Sequence, residues 1–216
     1  MIMIISSCNM KGGTGKSTTA QNLSVYYSVF LEKKVLLIDA DPQMTSTDWI
    51  QERREKLKTH NNLYSAQMSG NLRVDLLEFE KSHDVVIVDC GGHDSEAMRS
   101  SLSVSTHAVL PFRPKRRDLK KLPEMSEIIK MAIALNPNLK VFALITQCPY
   151  LPSQAQRILD AKEACRSYDL NTLNNVLYNR NIYDDSDEDG SSVLEQDIDK
   201  KAKDEFLSFA KEFVGE

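Results

Sequence analysis

The sequence predicts an α/β protein with a mainly parallel, twisted sheet and helices on both of its faces. Short apolar runs rich in β-branched residues alternate along the chain with longer stretches of helical periodicity. Glycines or carboxylates follow several of these runs, as expected where the carboxyl ends of parallel strands form a ligand site. A chain of 216 residues with this pattern is expected to form one domain over residues 1–216.

The apolar runs are short and β-branched, which favours strands that are buried on both faces of a sheet. The predicted strands are residues 2–6, 35–38, 85–88, 108–112, 141–145 and, more weakly, 175–177. The segments between them carry apolar residues at helical spacing. The predicted helices are residues 16–32, 47–58, 72–81, 95–104, 119–135 and 153–167, followed by a final helix. The acidic segment 184–189 is expected to be a solvated loop.

Composition limits the functions that the chain can perform. Its net charge is -4, so contact with nucleic acid would require a local basic patch. The four cysteines form no C-x-x-C pair and are expected to be buried thiols in a reducing cytoplasm. The first residues lack a basic leader, and no apolar run approaches the ~20 residues that span a bilayer. We therefore expect a cytoplasmic protein without stable membrane insertion.

A glycine-rich segment follows the first predicted strand and precedes a helix, which favours a P-loop NTPase-like fold. Its residues are Lys11, Gly12, Gly13, Thr14, Gly15, Lys16, Ser17 and Thr18. Glycines let successive backbone N–H groups point inward and cradle phosphates, and the helix adds its positive N-terminal end. Lys16 can reach the β- and γ-phosphates of ATP, and the hydroxyl of Ser17 can ligate Mg²⁺. Met10 departs from the strict G-x-x-x-x-G-K-S pattern, although the G-x-G-K-S-T core remains.

Carboxylates follow two further strands. Asp39 and Asp41 come just after the second strand, where such a pair can hold Mg²⁺-bound water and orient an attacking water. Asp89 ends the next strand in the form of a Walker B aspartate, which binds Mg²⁺ directly or through water. Gly91 and Gly92 follow and suit a loop that responds to the γ-phosphate.

These motifs, K-G-G-T-G-K-S-T, D-A-D-P-Q and V-V-I-V-D-C-G-G in this order, resemble those of the deviant Walker A ATPases. Within that group the chain most resembles the small ParA-type partition ATPases that lack an N-terminal DNA-reading domain. The segment Asn179-Arg180-Asn181-Ile182-Tyr183 and the final helix are similar to that family's C-terminal region. The resemblance covers essentially the whole chain.

The resemblance implies a homodimer formed with ATP and Mg²⁺, with a role for each motif residue. Lys11 would reach the partner's nucleotide, while Lys16 and Ser17 bind phosphate and Mg²⁺. Asp39 would help hold the Mg²⁺ shell, Asp41 would position the hydrolytic water, and Asp89 would be the Walker B carboxylate. Gln147 lies in a loop that often approaches adenine in this family. His93 stands where relatives often carry arginine and is either a switch residue or a solvated histidine.

Three basic clusters on an acidic chain predict a local phosphate-binding surface. They lie at 113–121, 157–166 and 200–203. The residues predicted to bind DNA are Lys115, Arg116, Arg117, Arg157, Lys162 and Arg166. The resemblance adds much to this prediction, because it implies non-specific duplex DNA, a nucleoid location, and a centromere-binding or other adaptor protein as partners. The cargo could be a plasmid, a chromosome or a large protein cluster.

Three other functions compete with partition. Membrane positioning, as in MinD-type relatives, would use the apolar stripe of the last helix, but Asp204, Glu205 and Glu212 dilute its charge, so core packing is favoured. Iron–sulfur binding would need cysteines that meet at a dimer interface, and after Cys90 the next cysteine is Cys148. A metabolic P-loop enzyme would need a substrate pocket that no motif identifies.

Overall fold

The computed structural model describes residues 3–57 and 62–215, and seven strands in these ranges form one parallel sheet. They are β1 (Met3–Ser7), β2 (Val35–Ala40), β3 (Leu63–Gln67), β4 (Val85–Cys90), β5 (His107–Phe112), β6 (Lys140–Cys148) and β7 (Thr172–Tyr178). The strand order is β3-β2-β4-β1-β5-β6-β7, which places β1 between β4 and β5. The predicted α/β fold with a parallel sheet is confirmed.

Helices connect the strands and cover the sheet. They are α1 (Lys16–Val25), α2 (Thr45–Lys56), α3 (Arg73–Phe79), α4 (Glu96–Leu102), α5 (Arg116–Leu119), α6 (Leu122–Leu135), α7 (Ala155–Ser167), α8 (Asn181–Glu188) and α9 (Lys200–Val214). Two short segments extend α1 and precede α7, namely a π-helical turn at Tyr26–Phe30 and a 3-10 turn at Pro152–Gln154. None of the helices in the described ranges combines the length and apolar composition that crossing a bilayer requires.

The core consists of two apolar clusters, one on each face of the sheet. Ile4 belongs to one cluster and Ile5 to the other, because successive side chains of a strand point to opposite faces. Phe206, Phe209 and Phe213 of α9 are almost fully buried in the second cluster. The apolar stripe of the last helix therefore packs in the core, as the sequence favoured. All four cysteines are buried free thiols.

Two elements differ from the sequence predictions. Strand β3 was not predicted, because it is a half-exposed edge strand of sequence L-Y-S-A-Q rather than an apolar run. The acidic segment predicted to be a loop lies mostly in helix α8, so that prediction was wrong. Ile182 and Ser186, four residues apart, are buried on one face of α8, whereas Asp184, Asp185 and Glu188 are exposed.

Several predicted boundaries also shift. The helix predicted over residues 119–135 corresponds to α6, which begins at Leu122, and the short helix α5 before it was not predicted; α7 begins two residues later than predicted. Residue 2 of the first predicted strand and residue 58 of the second predicted helix lie outside the described residues.

The parallel pairing of the strands matters for function. It places the carboxyl ends of β1, β2, β4, β5, β6 and β7 at one edge of the sheet.

Candidate nucleotide site

The glycine-rich segment forms a tight loop between β1 and α1. Gly13 and Gly15 have φ angles of 70° and 90°, in the left-handed region that favours glycine. Asn9 holds the loop to the sheet, because its Oδ1 accepts from Lys11 N at 2.9 Å and its Nδ2 donates to the carbonyl of Pro111 at 2.7 Å. The hydroxyl of Thr146 donates to Thr14 O at 2.7 Å. The loop is therefore fixed from both β5 and β6 and presents its backbone to a phosphate-bearing ligand.

Lys16 begins α1 and is buried with 6% of its surface exposed. Its Nζ donates to the carbonyl of Lys11 at 3.3 Å, so the ammonium group lies folded against the loop. A lysine in this position can turn to phosphate oxygens without leaving the loop. By contrast, the ammonium group of Lys11 makes no ion pair or hydrogen bond within residues 3–57 and 62–215.

A cavity of about 480 Å³ opens in front of this loop. Of the residues predicted from sequence, it brings together Gly12, Gly13, Gly15, Lys16, Ser17, Thr18, Asp41 and Gln147. Pro42, Gln43, Thr45, Gly92 and His93 complete its lining. Four of the predicted site residues do not line the cavity, namely Lys11, Thr14, Asp39 and Asp89. Its polar lining and size suit a nucleoside triphosphate.

Asp39 and Asp41 lie at the end of β2 but have different surroundings. Asp39 is buried, and its Oδ2 accepts from the backbone N and the hydroxyl of Thr47 at 2.7 and 2.9 Å. Its Oδ1 accepts from Asp41 N at 3.1 Å, so both oxygens already have protein donors. Asp41 faces the cavity and accepts from Gln43 N at 3.0 Å. The structure thus gives Asp39 a role in shaping the turn into α2, and its metal role stays a prediction.

Asp89 is fully buried at the end of β4 and has one oxygen to spare. Its Oδ2 accepts from the hydroxyl of Ser46 at 2.7 Å, whereas its Oδ1 has no donor. Burial raises the pKa of Asp89 to about 7, and the nearby hydroxyls of Ser46 and Ser17 act in the opposite direction. A buried carboxylate oxygen without a partner, close to a serine hydroxyl, fits a divalent cation with oxygen ligands. Ser17 and Asp89 are the residues that would hold Mg²⁺, which supplies positive charge to the phosphates when it is bound.

The double-glycine loop after β4 touches the P-loop. A Cβ atom on Gly92 would lie 3.0 Å from both N and Cα of Gly12, so a side chain here would require one of the two loops to shift. The ring of His93 folds over Gly91, close to the carboxylate of Asp41. Because Gly92 packs against Gly12, a shift of the P-loop at Gly12 would displace the loop after Asp89.

A smaller cavity of about 140 Å³ extends from the P-loop towards β7 and α8. It shares Gly15, Thr18 and Gln147 with the first cavity. Tyr183 lines its far side, and its hydroxyl is buried without a hydrogen-bond partner. The predicted base contact Gln147 lies between the two cavities, and its contact with a base stays a prediction. Sequence reasoning gave Tyr183 no role of its own, although it ends the segment 179–183 that carries the family resemblance, because its place in the cavity depends on how α8 packs.

The CobQ/CobB/MinD/ParA nucleotide-binding domain matches residues 5–199, which is most of the chain. The chain belongs to this family. The resemblance to small ParA-type ATPases, first inferred from the motifs, is thereby confirmed.

Three of the most similar proteins are informative. Maintenance of carboxysome distribution protein A of Halothiobacillus neapolitanus is 30% identical over 64% of this chain and 63% of its own length. Chromosome partitioning protein ParA of Myxococcus xanthus is 21% identical over 98% of this chain and 87% of its own. The structure of the McdA–ATP complex of Cyanothece matches with a TM-score of 0.81 at 16% identity, covering 99% of this chain and 96% of that one. That likeness establishes the fold.

The chain spans less than two thirds of the length of the carboxysome-distribution relatives that it matches. Family members are ATPases, and the Cyanothece relative was solved with ATP. In this chain the P-loop, Asp41 and Asp89 occupy one edge of the sheet, as the family resemblance implied.

The predicted DNA-binding residues of this ParA/MinD-family chain lie on two neighbouring elements. Lys115, Arg116 and Arg117 are exposed at the start of α5, which contacts α7. Arg157 and Arg166 are exposed on α7. Lys162, also on α7, is half-buried, and its Nζ donates to Asn174 O at 2.6 Å. Burial lowers the pKa of Lys162, so of these six residues it is the least available to an external phosphate.

Proposed function

We propose that this chain is an ATP-driven switch that hydrolyses Mg-ATP slowly, dimerises around ATP and binds duplex DNA non-specifically to position a cargo. The observation that carries the proposal is the single cavity lined by Lys16, Ser17 and Asp41, with Lys11 on the loop at its edge. The named relatives act in carboxysome distribution and chromosome partitioning. A cargo of either kind, plasmid or chromosomal DNA or a large protein body, is consistent with these residues.

In the proposed reaction, each polar group has one task. The backbone of Gly12–Gly15 and the ammonium group of Lys16 hold the β- and γ-phosphates. Asp41, which faces the cavity, accepts a hydrogen bond from the attacking water and orients it towards the γ-phosphate. Ser17 and Asp89 hold Mg²⁺. Loss of the γ-phosphate then changes the position of Gly92, because Gly92 packs against Gly12 of the P-loop.

Lys11 supports the proposed dimer. Its ammonium group has no acidic partner in the described part of the chain, although Lys11 is half-buried and directly precedes Gly12, which lines the cavity. A second copy that brings its own Lys11 to the γ-phosphate would neutralise charge that ADP lacks. The dimer would double the basic residues available to DNA, and an adaptor protein would stimulate hydrolysis. In this proposal the protein works at the nucleoid.

The experiment that tests the proposal compares DNA binding in two nucleotide states. Asp41→Ala protein should hold ATP while hydrolysing it orders of magnitude more slowly, which traps the ATP state. We expect unrelated duplexes to bind equally well with Mg-ATP and to be released with Mg-ADP. Arg116→Glu with Arg117→Glu should weaken all duplexes alike, and each DNA phosphate that is no longer neutralised should lower the slope of log affinity against log salt by roughly 0.9.

The matched control reverses charge at the opposite edge of the sheet, at the exposed Lys33 and Lys34, and should leave the salt slope unchanged. Equal DNA binding with ATP and ADP would contradict the gated switch. If neither state bound DNA and the protein attached to anionic vesicles instead, a membrane-positioning function would replace the proposal.

A further inference from the structure

A third cavity lies beside the nucleotide site and shares one residue with it. Its volume is about 180 Å³, and its walls include Pro114, Lys115, Gln147, Pro149, Arg157 and Asn179. We infer that this cavity, the basic notch, binds one phosphate of a DNA backbone and that Gln147 links its shape to the bound nucleotide. The inference rests on the proposed DNA-binding function and assigns a specific site and a regulator to it.

The charge of the basic notch is uncompensated. Lys115 precedes α5 and Arg157 lies on α7, so two separate elements bring positive charge to one cavity. The guanidinium of Arg157 donates only to the neutral Gln154 Oε1, at 3.2 Å, and Lys115 has no side-chain partner within the described ranges. A guanidinium fork together with a lysine suits a phosphate oxyanion.

Neighbouring cations differ from this pair. Arg113 forms an ion pair with the buried Asp118, and Lys121 pairs with Glu124 at 2.9 Å. Their charges are therefore largely balanced by the protein itself. Arg116 and Arg117 lie on the surface next to the notch and extend the positive charge along α5. A phosphate seated between Lys115 and Arg157 would belong to a strand that continues over α5, which favours a nucleic-acid backbone over a single small anion.

Gln147 connects the notch to the nucleotide. It lines the nucleotide cavity, the smaller cavity that contains Tyr183, and the basic notch. Its φ angle is 48°, a left-handed conformation that glutamine rarely adopts. The strand register is irregular around it, between Ile145 and Cys148. The side chain donates from Nε2 to Gly13 O at 2.9 Å, and this bond ties the residue to the P-loop.

The tie has a mechanical consequence. Gly13 belongs to the backbone that holds the phosphates, so a shift of this loop on nucleotide exchange displaces the carbonyl to which Gln147 is bonded. Because the same residue forms a wall of the notch, its displacement changes the space between Lys115 and Arg157. The nucleotide state thereby sets how well the notch accepts a phosphate.

The first test removes the notch charges. Full-length protein in the Asp41→Ala background is titrated with a fluorescent duplex over a salt series, with saturating Mg-ATP or Mg-ADP. Lys115→Gln with Arg157→Gln should lower the salt slope by roughly 0.9 for each DNA phosphate that the variant no longer neutralises. The control is Lys33→Gln with Lys140→Gln, which removes the same charge at the opposite edge of the sheet and should leave the slope unchanged.

The second test removes the link. Gln147→Gly suits the left-handed backbone and deletes the bond to Gly13, so the ratio of DNA affinities with ATP and ADP should fall below that of the parent, while the part of the ratio that dimerisation contributes should remain. Nucleotide affinity is measured in parallel so that both states are compared at saturation. A ratio equal to that of the parent would overturn the coupling role of Gln147.

Failure of the inference can be told apart from failure of the proposed function. If the parent protein binds DNA and the notch variant keeps the parent salt slope, the notch is not the phosphate site although DNA binding stands. If the parent protein binds no duplex in either nucleotide state, DNA binding itself is refuted, and the inference is refuted with it.

Discussion

Ser46 contacts a residue of the candidate nucleotide site although no sequence motif includes it. Its hydroxyl donates to Asp89 Oδ2 at 2.7 Å, and both residues are buried. This bond fixes the carboxylate so that Oδ1, which has no donor, remains available. Loss of a partner that orients a metal ligand in this way typically lowers metal affinity by about 10- to 100-fold. Ser46 is therefore a positioning residue for Asp89.

We expect Ser46→Ala to raise the Mg²⁺ concentration needed for ATP binding by about tenfold or more, because Asp89 loses its orienting donor. Titration of fluorescent ATP at increasing Mg²⁺ measures this directly. Ser126→Ala is the matched control, since Ser126 is also buried and donates to Tyr168 O at 3.1 Å, and neither residue lines the nucleotide cavity. Both variants should lose roughly 1 kcal/mol of stability. An unchanged Mg²⁺ requirement in Ser46→Ala would show that Asp89 does not depend on the Ser46 hydroxyl for its orientation.

The residues of the site divide by how far their role depends on tertiary structure. The positions of the P-loop, Asp41 and Asp89 could be predicted, because each lies at or just after the carboxyl end of a strand and parallel strands bring these ends to one edge. Ser46 and Tyr183 could not, since their positions depend on how α2 and α8 dock. The occupied oxygens of Asp39 depend equally on the turn that brings Thr47 back to it.

Among the elements, helix α2 connects the nucleotide site with the C-terminal segment. Its first turn holds the carboxylates of the site, and its later turns bind the segment after α8. Trp49 Nε1 donates to Ser191 O at 2.9 Å, and Arg53 forms a two-pronged ion pair with Glu195 at 2.7 Å. Arg53 also donates to Gly190 O at 3.0 Å. The segment around Gly190 is thus held at close range to the backbone of α2.

Gly190→Ala should destabilise the protein strongly, because the added Cβ would lie 2.1 Å from Arg53 N and 2.5 Å from Arg53 Cα. Backbone atoms cannot move aside, so we expect a loss of about 3 kcal/mol or more. Gly215→Ala is the control. Gly215 also has a positive φ, of 82°, but nothing lies within 4 Å, so only the left-handed cost of about 1–2 kcal/mol applies.

Urea unfolding followed by fluorescence measures this difference, since Trp49 is the only tryptophan and is 2% exposed. Equal losses in the two variants would show that the contact between α2 and Gly190 is loose.

Helix α8 could not be predicted from the sequence, because acidic residues dominate it. Its buried face, formed by Ile182 and Ser186, is recognisable only once the helix packs against the rest of the protein. Strands that are buried on both faces, such as β4, can be recognised in the sequence as continuous apolar runs.

At the scale of the whole molecule, the edge of the sheet opposite the nucleotide site contains a buried histidine. His107 begins β5 and is 5% exposed. Its ring stacks on Phe142 of β6, with centroids 6.5 Å apart, and meets Phe213 of α9 edge-on at 5.6 Å. Its Nδ1 lies 3.0 Å from the hydroxyl of Thr106. The ring thus joins the sheet to the last helix, and its charge state affects the packing of both.

Burial lowers the pKa of His107 from 6.5 to about 4, and the charge of Lys140 adds to this shift. A histidine that resists protonation when folded stabilises the protein above its unfolded pKa, and this contribution declines as the pH falls from 6.5 towards 4. Between about pH 7.5 and pH 5 the loss should be about 2 kcal/mol. His107→Phe cannot be protonated and should abolish this part of the pH dependence. Urea unfolding of both proteins across this range measures it, and the parent-minus-variant difference removes the contributions of the carboxylates. A difference that stays constant with pH would mean that His107 accepts a proton as easily in the folded protein as in the unfolded chain.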